Sequence, residues 1–542
     1  MVRLLKALVL GLVAGSAHAL DYTEPYRPQY HFSPRKNWMN DPSGLLYHNG
    51  IYHLFFQYNP ASNEWGNMSW GHATSKDLTH WDEQPIALRA RGYPQNVTEM
   101  YFTGSAVVDV NNTSGFGRDG KIPLVAMYTS YYPPAQKLPS GKQVRTEQQS
   151  QSIAYSLDDG VTWTTYDVGN PVIQSPPAPY GNQYKNFRDP YVFWHDKSHK
   201  WVVITALAEI HKLLIFTSDD LKDWSLASEF GPYNAVGGVW ECPNIFPLAL
   251  DGNQSALKWV LVLGLNPGGP PGTVGSGTQY FVGEFNGTTF TADPDSLFAK
   301  NTTSNWMDWG PDFYAAAAYQ GLSIDKHVQV GWMNNWQYGQ KIPTSPWRSA
   351  MAIPRRLSLK TIGQKATLLQ QPQEDWGSIM SRNGVSRSWK SIPEGTVNLG
   401  TPGETFEVQL NFSDRNAAAS KPAEFAIAVR ATNSTTQQTR IGYDFAQKRI
   451  FVDRTKSGNV TFDSTFASVY HAPFTPSAGG NVSLHIFVDR SSVEVFGGQG
   501  EATLTAQIFP GKNAINARLQ STGGTTENVS LKMASISSVW TK

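Results

Sequence analysis

A single cysteine, Cys242, stands in a chain of 542 residues, so no disulfide can form within the chain and its cores must hold it together. A chain of this length can bury enough apolar surface to do so. No base is visibly paired with the thiol, and Cys242 reads as a small buried filler rather than a nucleophile. Charge is scarce as well. Asp, Glu, Lys and Arg make up 16 % of the residues and nearly cancel, leaving a net charge of +1. Such a balance favours neither nucleic acid nor an anionic membrane as partner. Long apolar runs are missing: residues 7–14 fall well short of the ~20 that cross a bilayer. No segment keeps a helical period over several turns, no histidine pair has the spacing of metal ligands, and no metal or other cofactor is expected.

Aromatic and turn-forming residues are abundant instead. Aromatics reach 12 %, and Gly and Pro number 47 and 34, a mixture that suits short strands joined by tight turns. The runs 51–56, 124–128, 201–204 and 259–263 are each bounded by Gly, Pro, Asn or Asp, as sheet strands are. The chain reads as all-β. A weak repeat refines this reading. Ser75-Lys76-Asp77-Leu78-Thr79-His80-Trp81, Ser156-Leu157-Asp158-Asp159-Gly160-Val161-Thr162-Trp163 and Thr217-Ser218-Asp219-Asp220-Leu221-Lys222-Asp223-Trp224 share one plan. A strand ends in Ser or Thr, an Asp-containing turn follows, and a Trp opens the next strand. A spacing of roughly 60 to 80 residues suits successive four-stranded blades around an axis. Past residue 357 the character changes. Beyond a polar stretch around Gln370 to Glu374, alternating runs at 405–410 and 484–488 read as strands of a sandwich. The expected division is a propeller over 20–357, a linker over 358–384 and a β-sandwich over 385–542.

Residues 1–19 read as a secretory signal. Arg3 and Lys6 give the positive end, residues 7–14 the apolar run, and Ala17-His18-Ala19 a small-x-small cleavage site. Secretion fits the dense sequons: Asn67, Asn96, Asn111, Asn112, Asn253, Asn286, Asn301, Asn411, Asn433, Asn459, Asn481 and Asn528 all stand in N-x-S/T.

Three acids stand in turn-prone, aromatic-flanked blocks: Asp41 in Trp38-Met39-Asn40-Asp41-Pro42, Asp189 in Arg188-Asp189-Pro190, and Glu241 in Trp240-Glu241-Cys242-Pro243. Each alone is an ordinary turn or ion-pair residue. Together they suit glycosidic cleavage, in which one carboxylate attacks the anomeric carbon and one carboxylic acid protonates the leaving oxygen. A retaining enzyme holds those two groups about 5 Å apart. Strands from different blades would bring acids distant in sequence to one end of the axis. Trp38, Trp65, Trp240 and Trp336 would offer sugar rings apolar faces.

These three blocks, in this order and spacing, resemble the signature of the invertase/inulinase family of β-fructofuranosidases, glycoside hydrolase family 32. Within it the likeness is greatest to fungal exo-inulinases, and it extends over nearly the whole mature chain. Supporting stretches include Trp65-Gly66-Asn67, Gly104-Ser105-Ala106, residues 266–271 and residues 489–496. The resemblance implies a five-bladed β-propeller followed by a C-terminal β-sandwich. It also implies release of terminal fructose from inulin, levan-type fructans and sucrose by double displacement. It assigns Asp41 as nucleophile, Glu241 as acid and then base, and Asp189 as transition-state stabiliser with Arg188 beside it. Asn40, Gln57, Trp65, Thr103 and Trp336 match fructose-binding positions. Ser43 stands where the family usually has Asn, Asn244 where Asp or Gly is frequent, and Thr103 where Ser is usual. These departures touch fine specificity and leave the three acids in place.

For these roles Glu241 must carry a proton while Asp41 is ionised, and an acidic optimum is the expectation. A sucrose-specific invertase and a fructosyltransferase would use the same acids, so the sequence leaves inulin against sucrose, and water against sugar as acceptor, open. A carbohydrate-binding propeller has no need of three matched acid blocks. A sialidase needs an arginine cluster, which is not evident. The oligomeric state is not legible.

Overall fold

The computed structural model describes residues 22–300, 303–373, 379, 384–413 and 422–540. The signal segment, the sequon at Asn301 and part of the expected linker lie outside the described residues.

The three repeated turns share one hydrogen-bond plan. Ser75 bonds Asp77 at 3.1 Å, Ser156 bonds Asp158 at 2.7 Å, and Ser218 bonds Asp220 at 3.1 Å. Each aspartate accepts backbone N–H groups further along its turn. The indoles of Trp81, Trp163 and Trp224 each donate to a carbonyl three residues back. Side chains that satisfy the turn backbone in this way fix a sharp reversal. Every one of these turns joins the third and fourth strands of an antiparallel meander.

Five such meanders follow in the chain. Their first strands are Asn37–His48, Met100–Val108, Phe187–His195, Val239–Leu250 and Tyr314–Ala318. The first three meanders form separate sheets, while the fourth and fifth join through a single parallel pairing of Leu250 with Leu359. The first strands touch one another in cyclic order, the fifth returning to the first. They ring one axis as the inner strands of a five-bladed propeller. Apolar side chains fill the gaps between blades. Phe193, Ile204, Leu263 and Phe281 pack between the third and fourth blades, and Phe246, Val262, Phe313 and Leu359 between the fourth and fifth.

The linker expected from residue 358 does not begin there. Arg355–Ile362 and Lys365–Pro372 are the third and fourth strands of the last blade. The change of composition that suggested a linker marks the blade's polar outer edge, where Ser358, Lys360 and Thr361 are exposed.

After residue 384 two six-stranded antiparallel sheets face each other. Phe406–Ser413 shows the reason: Phe406, Val408, Leu410 and Phe412 are buried, and Gln409 and Asn411 are exposed. That period of two puts one face of the strand into a core shared with Ile427, Val429, Ile441 and Leu504.

The sandwich docks on the propeller through buried charge. Arg355, fully buried, donates to Asp308 at 2.8 Å and to Glu494 of the sandwich at 3.1 Å. His31 bridges Asp489 at 2.7 Å and Glu494 at 2.9 Å. Arg454 of the sandwich reaches Asp312 at 2.7 Å and the Tyr338 hydroxyl at 2.9 Å. Burial opposes the charge on His31, yet the two carboxylates win and hold its pKa at about 9.

Removing one partner of a buried pair strands the other. Arg355→Ala is expected to destabilise the protein by about 3–5 kcal/mol, read as a loss of denaturation midpoint. The raised pKa of His31 means its contribution is complete below the unfolded value near 6.5 and is lost as pH rises through about 9. The melting temperature should therefore fall between those limits, and less steeply in His31→Gln.

Candidate active site

Five strands approaching one axis crowd each other, and each slips register there. The shifts lie between Met39 and Pro42, Tyr101 and Gly104, Arg188 and Tyr191, Glu241 and Asn244, and Tyr314 and Ala317. A bulge re-aims side chains off the sheet plane. Proline, which cannot donate to a ladder, is tolerated at such a point. This is why Pro42, Pro190 and Pro243 follow directly on the residues that face the axis. Asp189, Cys242 and Ala315 take the left-handed backbone at φ 63, 50 and 48°, strained for a cysteine or an alanine and held by the surrounding sheets. Gly104 sits so near the Met127 carbonyl that a Cβ would lie 2.1 Å from its oxygen, and only glycine lets the second inner strand approach this closely.

The bulges bring the three acids together. Asp41 Oδ2 accepts from the Thr103 hydroxyl at 2.7 Å and from the Cys242 thiol at 3.4 Å. Asp41 Oδ1 is buried and makes no hydrogen bond of ordinary length among the described residues. Asp189 Oδ2 accepts the backbone N–H of Cys242 at 2.9 Å and lies 3.7 Å from the same thiol. Arg188 donates twice to Glu241 Oε1, at 3.1 and 3.0 Å, and its other arm reaches Asn186 and Gln149. Tyr314 donates to Glu241 Oε2 at 2.6 Å. A narrow cavity continues down the axis, lined from all five inner strands by residues such as Gly44, Ser105, Pro190, Asn244 and Ala317.

Burial and the charge of Glu241 raise the pKa of Asp41, while Thr103, Asn40 and Cys242 pull it down. Burial pushes Asp189 up to about 7, with Arg188 opposing and Glu241 and Asp41 adding to the rise. Burial and the three carboxylates keep the Cys242 thiol neutral, its pKa well above the ordinary value. Asp41 and Asp189 are thus both pushed toward the protonated form by burial and by neighbouring negative charge.

The remaining expected residues divide. Asn40 is buried and accepts from the Trp38 indole at 2.7 Å, and Gln57 is buried and donates to the Tyr101 carbonyl. Trp65 is 41 % exposed at the mouth, and Trp336 is partly buried against Trp332 and Trp38. Trp38 and Trp240, expected as sugar platforms, have no exposed face. Trp240 packs between the third and fourth blades, and Trp38 lies under Trp336, because the bulge turns Asp41 and Glu241 to the axis and their neighbours into the core. Two contributors were missed. Cys242 is buried as expected, yet it is a donor between two of the acids rather than a filler. Tyr314 carries no motif, since its role depends on a fifth strand that only the closed ring brings to Glu241. Asn244 accepts the Ala318 N–H at 2.9 Å, so this departure from the family pattern ties two inner strands together. Among the described residues no group of three or more His, Cys, Asp or Glu is arranged to hold a metal ion.

Residues 31–372 match the model of the glycosyl hydrolases family 32 N-terminal domain, and residues 375–535 that of the family 32 C-terminal domain. The chain belongs to glycosyl hydrolase family 32. Similar members of family 32 include an extracellular exo-inulinase of Aspergillus ficuum, 69 % identical with all of both chains covered. A levanase of Bacillus subtilis is 43 % identical, with 98 % of this chain and 74 % of that protein covered. Among solved structures, the crystal structure of an exo-inulinase from Aspergillus awamori superposes with a TM-score of 0.94 at 68 % identity. That superposition covers 96 % of this chain and 100 % of the other.

The hydroxyl of Thr103 favours the charged form of Asp41. Its removal in Thr103→Val should lift the acid limb of the kcat/KM profile by about one pH unit, the worth of a hydrogen bond to a charged group. Thr103→Ser should leave the limb in place.

Proposed function

We propose that this protein is a secreted, retaining exo-inulinase that releases terminal β-fructofuranose from inulin, levan-type fructans and sucrose. Asp41 attacks the anomeric carbon as nucleophile while Glu241 gives its proton to the departing glycosidic oxygen, so that the sugar–oxygen bond breaks as the carboxylate–sugar bond forms. Glu241, now ionised, then takes a proton from water, whose oxygen displaces Asp41 and frees fructose. Asp189 grips fructose hydroxyls and stabilises the oxocarbenium-like transition state.

The single observation that carries this reading is the asymmetry of Asp41. The Thr103 and Cys242 hydrogen bonds both go to Oδ2, while Oδ1 is buried with no hydrogen bond of ordinary length among the described residues. An attacking oxygen needs that freedom. Glu241 instead accepts on both oxygens, from Arg188 and from Tyr314, and these two donors hold its carboxyl group in one place. Asn40, Gln57, Trp65, Thr103, Arg188 and Trp336 are proposed to bind the terminal fructose. The high identity to extracellular exo-inulinases supports both substrate and location.

Residues 1–19 are proposed as a cleaved signal peptide, the five blades as the catalytic domain, and the sandwich as a separate, covalently linked domain. The sequon asparagines are proposed glycosylation sites. Asn67 is partly buried, and those described elsewhere in the chain are exposed. The family also covers invertases, and the shape of the leaving-group side decides between the two activities.

Chromatography of products from inulin and from sucrose tests the reading. Fructose alone from inulin at the earliest times is the expected result; cleavage of sucrose with inulin untouched would make the protein an invertase. Glu241→Gln should lose at least about a hundredfold in kcat while still binding fructose, and unchanged turnover would refute the acid assignment.

A further inference from the structure

We infer that Tyr131 and Phe102 form a platform outside the pocket for the second and third sugar units of a fructan chain, and that Tyr131 sets the preference for polymer over sucrose. The inference rests on the proposed exo-inulinase activity and extends it to the leaving side.

Phe102 shares the inner-strand bulge with Thr103, the residue bonded to Asp41, so the platform begins one residue from the nucleophile's partner. Its ring lies against the aromatic floor of the pocket, meets Trp65 edge-on at 5.9 Å and 63°, and stacks on Tyr131 at 5.0 Å and 7°. Trp65 is exposed at the mouth, and Phe102 and Tyr131 are each partly buried. The three rings are contiguous, with Phe102 between Trp65 and Tyr131, so the row begins beside Thr103 and ends on the Tyr131 ring.

Its direction follows from the register of the second blade. Tyr131 pairs across the sheet with Gln149, and the Gln149 carboxamide accepts from Arg188, which clamps Glu241. The Tyr131 end of the row therefore lies on the side of the proposed acid, where the glycosidic oxygen must sit and from which the rest of a fructan departs. Sucrose has one sugar beyond that oxygen; inulin has many. A flat ring offers the apolar faces of successive sugars a contact that needs no fixed hydrogen-bond pattern. Stacking on Phe102 holds Tyr131 in place before substrate arrives, which lowers the ordering cost of binding.

Steady-state kinetics of Tyr131→Ala and Tyr131→Phe on sucrose and on inulin-type chains of increasing length tests this. Tyr131→Ala should raise KM for chains of three or more units by about three- to tenfold, the worth of one aromatic contact, with kcat and the sucrose parameters little changed. Tyr131→Phe should keep the native preference, and inhibition by free fructose, which fills only the pocket, should be equal in all three proteins. A misfolded variant would lose sucrose activity and fructose binding together; Tyr131→Phe set against Tyr131→Leu, which keeps the bulk but loses the flat ring, then decides the matter. An inulin-to-sucrose ratio of kcat/KM unchanged in Tyr131→Ala or Tyr131→Leu overturns the platform while leaving the exo-inulinase reading intact. Wild-type protein that splits sucrose but no fructan overturns both.

Discussion

Closing a ring of five sheets obliges five strands to approach one axis, and the crowding there decides where polar groups can stand. Regular pairing cannot continue through the closest approach, so each inner strand slips register at the same level. The slip frees side chains from the two faces of the sheet and sends them to the axis, where Asp41 and Asp189 are buried. Acids placed there are close, dry and held by backbone that belongs to different blades. The same geometry explains the proline after each acid block. The position has given up its ladder bond, so proline costs nothing there and stiffens the turn.

Dry, adjacent carboxylates repel, and the surrounding groups decide how the charge is shared. Arg188 balances Glu241 directly, while Asp189 must draw on the Cys242 amide and the more distant guanidinium. Its upward shift to about 7 is the residue of that imbalance. The neutral thiol of Cys242 suits the gap between Asp41 and Asp189 because it donates weakly and adds no charge. A hydroxyl would compete more strongly for either carboxylate, and an apolar group would leave both less solvated.

Much of this was legible in residues, and the losses have physical causes. The Ser–Asp–Trp turns could be read because their hydrogen bonds are local, closed within a few residues, and so leave a pattern in sequence. The three acid blocks were legible for the same reason: bulge, proline and acid are adjacent along the chain. What could not be read depended on contacts between blades. Tyr314 reaches Glu241 only after the ring has closed, and a tryptophan beside an acid gives no sign of which way the bulge will turn it. Trp65 and Trp240 both flank motif residues, yet one is exposed at the mouth and the other lies wholly in the core. The boundary near residue 358 misled because composition reports exposure, and the outer strands of a blade are as polar on their free face as a linker.

The sandwich is tied to the chemistry more closely than its distance in sequence suggests. Just before the fifth inner strand, residues 309–312 lie along the sandwich strand Ala502–Gln507, with Trp309 and Asp312 donating backbone N–H groups to Thr503 and Thr505. Asp312 then accepts from Arg454 and from the Gln507 amide, both at 2.7 Å. Two residues further on stands Tyr314, whose hydroxyl fixes Glu241. A shift of the sandwich would move Asp312, and Asp312 cannot move far without carrying Tyr314 and one of the two clamps on the proposed acid. Buried ion pairs add little stability over well-packed apolar residues, but they tolerate only one arrangement. At this interface that single arrangement is what sets the height of the fifth strand against the other four.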